Sequence, residues 1–162
     1  MGTRIKWFIA DCLFILRITD FIHWFLVTYF PKHIRVVNYH GTPKIFEQNF
    51  RKQLEFFSKY YVSVTPEALD AFVKFGSWKS AKPGLIISFD DGIKNNFTLA
   101  KNIIEEFDFV GFFMIPSLLI DSTREHQHQC IYMDEWTLKE NPDGSLLMSW
   151  ENVLELSNRH VI

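Results

Sequence analysis

The sequence predicts an α/β fold built on a parallel sheet, open or closed into a barrel. Leu85-Ile86-Ile87-Ser88-Phe89 is apolar on both faces, as strands buried in parallel sheets are. Strand-like runs alternate with helix-like periodicity along the chain. The sequence ends on His160-Val161-Ile162, which reads as the opening of another strand, so these residues look like the front part of a larger domain.

Residues 5–30 form the most apolar stretch, including Trp7-Phe8-Ile9, Leu13-Phe14-Ile15-Leu16 and Trp24-Phe25-Leu26-Val27. Asp11, Arg17, Asp20 and His23 interrupt every run that might span a bilayer, which needs roughly 18 apolar residues without charges. An uninterrupted apolar centre with a small-residue cleavage site, the mark of a signal peptide, is not seen. Gly2 suggests myristoylation, but Lys6 stands where Ser or Thr is required. The polar residues scatter around the helical wheel. Two readings fit: a helix packed against the rest of the protein, or an interfacial helix making peripheral membrane contact through residues 5–30. Envelope and membrane-peripheral locations both stay open.

Pro31 closes this segment. Ile34 to Tyr39 reads as a strand ending at the turn cluster His40-Gly41-Thr42-Pro43. Ile45, Phe46, Phe50, Leu54 and Phe57 recur at helical spacing over 45–60. Thr65-Pro66-Glu67 marks a helix start, with an N-cap followed by proline at the first helical position, and that helix runs to about Phe75. After the strand at 85–89, residues 95–107 read as a helix with Leu99, Ile103, Ile104 and Phe107 inward. Val110 to Ile115 is a third strand, stopped by Pro116. Residues 121–147 read as a long polar loop, and Ser149 caps a last helix reaching about Asn158.

Composition narrows the function. The chain has 162 residues, 17 basic and 19 acidic side chains and a net charge of −2, enough for one domain but not the basic surface of a nucleic-acid binder. Cys12 and Cys130 are too distant for a zinc knuckle and too few for a disulfide scaffold. The 17 phenylalanines signal bulky packing, not a function.

Chemistry concentrates at Ser88-Phe89-Asp90-Asp91-Gly92. Adjacent carboxylates at the C-terminal end of a buried strand stand where α/β proteins place their active sites. Alternation directs the two side chains differently, so one can bind a metal while the other takes a proton. The plainer reading is an Asp-Gly turn leaving a strand. A haloacid-dehalogenase-type phosphatase needs Asp-x-Asp, and these aspartates are adjacent.

Phe89-Asp90-Asp91-Gly92 after a strand resembles the first motif of the polysaccharide deacetylases, the NodB-homology or family 4 carbohydrate esterases. Val36 to His40, Phe46 to Tyr60, Val62 to Thr65, Lys82 to Gly92, Gly111 to Met114 and Ser149 to Val153 follow that family in order. The resemblance covers residues 34–162 and leaves 1–33 as an apolar N-terminal segment. It implies an incomplete distorted (β/α) barrel and the hydrolysis of N-acetyl groups on amino-sugar polymers with a divalent metal such as zinc. Asp90 is then the general base and Asp91 a metal ligand. Ser88 stands where the family most often has Thr. Tyr39-His40 resembles the poly-N-acetylglucosamine deacetylase branch, in which His40 is the general acid; otherwise His40 merely caps a turn.

The family's two metal histidines, in a His-[Ser/Thr]-x-x-His pattern, are not found within the sequence. A catalytic zinc normally takes three protein ligands, so this chain is expected to be inactive alone. His126-Gln127-His128 reads as part of a solvated loop and not as replacement ligands. A non-catalytic glycan- or partner-binding relative of the same fold is the alternative. A membrane-peripheral protein whose Asp-Asp-Gly is only a turn is the third.

Overall fold

The computed structural model describes residues 18–142 and 144–162. The part of the expected N-terminal helix before residue 18 lies outside the described residues. The remainder is helical, α1 (Ile18–Tyr29). It is followed by β1 (Ile34–Tyr39), a 3₁₀ turn (Lys44–Phe46), α2 (Glu47–Tyr60), β2 (Val62–Ser63), α3 (Pro66–Phe75) and β3 (Gly84–Phe89). A π-helical turn (Asn96–Ala100) then leads through α4 (Lys101–Glu106) to β4 (Gly111–Phe113). The chain continues through α5 (Ser117–Ile120), α6 (Arg124–Cys130), α7 (Glu135–Glu140) and α8 (Trp150–Leu156).

The sheet is parallel, as the alternating pattern predicts. β3 pairs with β1 along its whole length, from Ile34↔Gly84 to Tyr39↔Phe89. On its other side β3 pairs first with β2, at Gly84 and Leu85, and then with β4, from Ile87↔Gly111 to Phe89↔Phe113. Phe112 and Val161 bridge in parallel, so the strand anticipated at 160–162 begins beside β4. Every residue of β3 is buried.

Alternation along β3 divides its side chains between two clusters. Leu85, Ile87 and Phe89 join Phe50 and Leu54 of α2, Ile103 and Ile104 of α4 and Leu156 of α8. Ile86 joins Val64 and Phe112, with Ile34, Leu69 and Trp78 packed against them. Phe89 is the aromatic centre, stacking on Phe113 at 4.8 Å and on Tyr39 at 5.7 Å, with Phe50 edge-on at 6.4 Å. Val27 of α1 reaches the same cluster.

The helix ends follow their caps. Thr65 accepts the Ala68 N–H at 3.3 Å, with Pro66 opening α3. Ser149 and Asn152 form a reciprocal capping box at the start of α8.

The segment 121–147 is not the long polar loop that its composition suggests. It holds α6 and α7 and ends in an antiparallel bridge between Leu147 and Ile93. Its polar residues act as caps and internal ties: Thr123 caps α6 and Asp134 caps α7. The fully buried Gln127 donates to the carbonyls of Leu119, Ile120 and Ser122 and accepts the Leu146 N–H at 2.9 Å. Ile93, Ile131, Met133, Leu146 and Leu147 close a separate apolar cluster.

His160 holds the far end of β4. Its Nδ1 accepts the Gly111 N–H at 3.1 Å, leaving Nε2–H to donate to Glu105 at 2.9 Å. Burial pushes its pKa below the ordinary 6.5, against the upward pull of Glu105. The unfolded chain therefore binds this proton more readily than the folded one. Its contribution to stability is complete above pH 6.5 and is lost as the pH falls through the lower folded value. Urea unfolding midpoints measured across that range fall with pH, and His160→Gln flattens the slope. In the core, Phe89→Ala costs about 3–5 kcal/mol in the same assay.

Candidate active site

β1 and β3 run side by side and end level, which brings the residues after Tyr39 and Phe89 together. The Asp90 N–H donates to the Tyr39 carbonyl at 2.9 Å, extending the ladder by one bond. The chain then turns sharply: Asp91 and Gly92 both adopt left-handed backbone, at φ 64° and 60°. Aspartate tolerates that region better than most side chains, and glycine enters it without penalty. The turn places Asp91 Oδ2 4.0 Å from His40 Nε2, an ion-pair distance when the imidazole is protonated. His40 is 64% exposed and Asp91 35%, so both are open to solvent.

Asp90 points differently, as strand alternation anticipates. Its Oδ1 accepts the Ser88 hydroxyl at 3.2 Å, and Asn38 Nδ2 donates to Ser88 Oγ at 3.5 Å. Ser88 thus orients the carboxylate. Asp90 and Asp91 line an open depression of about 340 Å³ with Met114, Ile115 and Pro116 from the end of β4. Tyr39, next to His40, turns toward α2 and donates its hydroxyl to Gln53. Burial pushes its phenol up to about 12, which keeps the hydroxyl protonated at neutral pH.

A buried amide pair fixes the His40 loop. Asn96 Nδ2 donates to the His40 carbonyl at 2.6 Å, and Asn96 Oδ1 accepts the Thr42 hydroxyl at 2.9 Å. Asn95 Oδ1 accepts the Thr42 N–H at 2.8 Å, while its Nδ2 reaches Thr137 and Glu140, both at 3.3 Å. Gly41 closes against this cluster: a Cβ there would lie 2.8 Å from Thr137 Oγ1. Three loops, after β1, after β3 and around α7, are thereby locked to one another. Asn95 and Asn96 escape sequence reading because they follow the motif inside a helix, where asparagine carries no signal by itself.

His126 and His128 lie exposed on α6, two positions apart and so on different sides of the helix. His126 Nε2 lies 3.7 Å from Cys130 Sγ. Among the described residues no group of three or more His, Cys, Asp or Glu side chains is placed to hold a metal ion.

No protein-family model matches the chain, and no curated protein does. Solved structures do match. The deacetylase PplD of Streptococcus pyogenes, determined in complex with acetate, superposes with a TM-score of 0.50 at 12% identity, over 80% of this chain and 52% of that one. IcaB from Ammonifex degensii superposes with a TM-score of 0.56 at 16% identity, over 78% of this chain and 49% of that one. At such identities the likeness is one of fold, and it agrees with the polysaccharide-deacetylase resemblance of the sequence. The chain spans about half the length of the solved structures it matches.

Replacing Asn96 by Ala removes the side-chain donor to the His40 carbonyl and leaves the Thr42 hydroxyl only the Asn95 carbonyl, at 3.1 Å. The expected cost is about 1–3 kcal/mol in urea unfolding. It is accompanied by faster amide exchange at Thr42 than in the parent.

Proposed function

We propose that this chain supplies part of the active site of a metal-dependent polysaccharide deacetylase, which hydrolyses the N-acetyl groups of amino-sugar polymers. The observation that carries this reading is the convergence of Asp90, Asp91 and His40 at the ends of two neighbouring parallel strands. The fold match to a deacetylase supports it.

In this reading Asp90 is the general base. Its Oδ1 is held by Ser88, leaving Oδ2 to take the proton from an attacking water. The water oxygen bonds to the acetamide carbonyl carbon. His40, carrying a proton on Nε2, gives it to the leaving nitrogen as the C–N bond breaks, releasing acetate and the free amine. Asp91 is one ligand of a divalent metal, zinc by family resemblance, together with donors outside the described residues. Such a metal, when bound, polarises the carbonyl and acidifies water.

The same reading makes residues 34–162 the N-terminal part of a distorted (β/α) barrel of the NodB-homology type, with 1–33 as an apolar leading segment. Val36 supports it: this apolar side chain in the middle of β1 is 62% exposed, as it would be where further strands and their layer remain to be added.

The chain as it stands is expected to release no acetate from N-acetylglucosamine oligomers, with or without zinc. Under this reading the coding frame beyond codon 162 carries a His-[Ser/Thr]-x-x-His run. In the protein containing that run, Asp91→Ala loses bound metal by elemental analysis. Asp90→Asn keeps the metal and loses about 10²–10⁴-fold in turnover. A near-normal rate in Asp90→Asn removes the base assignment, and a frame without the histidine pair leaves a glycan- or partner-binding relative.

A further inference from the structure

α1 is docked back to front for a surface helix in water. His23, Leu26 and Val27 turn toward the domain, where Val27 enters the core and His23 packs among the rings of Phe56, Tyr60 and Tyr61. At about 100° per residue, Ile18, Phe21, Ile22, Phe25 and Tyr29 fall on the opposite side. All of them are exposed, Phe21 by 62% and Tyr29 by 61%. The outward rings form one continuous patch. Phe21 lies 5.7 Å from Trp24 and 6.5 Å from Phe25, Phe25 lies 4.9 Å from Tyr29 and 6.1 Å from Phe30, and Trp24 lies 6.2 Å from Tyr29.

Aromatic rings that include Trp and Tyr suit the boundary between lipid headgroups and acyl chains, where an apolar body and a polar tip are both satisfied. Cations lie near the helix. Lys32 stands three residues past its end, Arg35 is exposed on β1, and the exposed Lys59 shares a surface recess with His23 and Asp20 of α1. The described part of the helix has 12 residues, roughly 18 Å of length, against a hydrocarbon core of about 30 Å. No helix among the described residues is long and apolar enough to cross one.

We propose that the outward face of α1 is a membrane-docking surface that lies in the plane of an anionic lipid bilayer, with Phe21, Trp24, Phe25 and Tyr29 inserted at headgroup depth and Lys32, Arg35 and Lys59 meeting lipid phosphates. An in-plane helix buries its apolar face only about 5–10 Å deep, so the domain stays in water beside the membrane. This inference is independent of any deacetylase chemistry, because it uses none of Asp90, Asp91 or His40.

The test is co-sedimentation of the full chain with vesicles of phosphatidylcholine alone and of phosphatidylcholine mixed with phosphatidylglycerol. The chain is expected to partition onto the mixed vesicles and to be released by salt. Phe21→Asp/Phe25→Asp, whose side chains are already exposed, is expected to keep the parent's circular dichroism and to lose at least about tenfold in partitioning. Lys32→Glu/Lys59→Glu is expected to weaken binding to the mixed vesicles alone. Absence of binding by the parent overturns the inference, as does undiminished binding by the Phe variant. So does sedimentation velocity showing a dimer that the Phe variant dissolves while vesicles recruit neither protein; the patch is then a contact between two copies.

Discussion

Pairing of β3 on both of its edges is the constraint from which the rest of the molecule follows. The strand is buried throughout, and its hydrogen-bonding groups are taken up by β1 on one side and by β2 and β4 on the other. A slip of one residue against β1 would send Leu85, Ile87 and Phe89 to the wrong face and empty the main cluster. The register that protects the core therefore also sets Phe89 level with Tyr39, and hence the two aspartates beside His40. The core and the candidate site share one alignment.

Beyond the strand ends, control passes from apolar packing to buried polar bonds. Asn95 and Asn96 sit where the chain has just left the left-handed turn at Asp91 and Gly92, and a π-helical turn begins at Asn96. Two adjacent side chains on a regular helix diverge by about 100°. Here both nevertheless reach Thr42 and its neighbours. The bonds to Thr42 and to the His40 carbonyl are neutral and costly to leave unmade, while Glu140 and Asp134 anchor the cluster on its α7 side. By contrast the ion pairs, such as Arg51 with Glu106 and Lys74 with Asp70, lie at the surface and contribute little.

Much of the architecture was legible because it rests on short-range pattern. β1, β3, α2 and α3 follow directly from apolar periodicity and from Thr65-Pro66, and Ser149 announced α8. β2 did not stand out: its ladder covers only Val62 and Ser63, too brief for alternation to register. Residues 121–147 carry a polar composition that suggests solvated loop, whereas Gln127 is buried and satisfies several backbone groups at once. At the site, Asp90, Asp91 and His40 were visible as residue types at strand ends. The Ser88–Asp90 bond and the asparagine clamp depend on long-range contact, which no local pattern encodes.

The asparagine clamp also has a consequence for the order in which the molecule is made. The bond from the Thr42 N–H to Asn95 joins residues 53 positions apart, and the length-dependent entropy of closing such a loop is roughly 3–4 kcal/mol. Neutral hydrogen bonds worth about 1 kcal/mol each cannot meet that cost by themselves. They form only after β1 and β3 have already brought the two loops together. The clamp is thus a late acquisition of the folding chain, and its loss is felt mainly as faster unfolding, with the rate of refolding left nearly as it was.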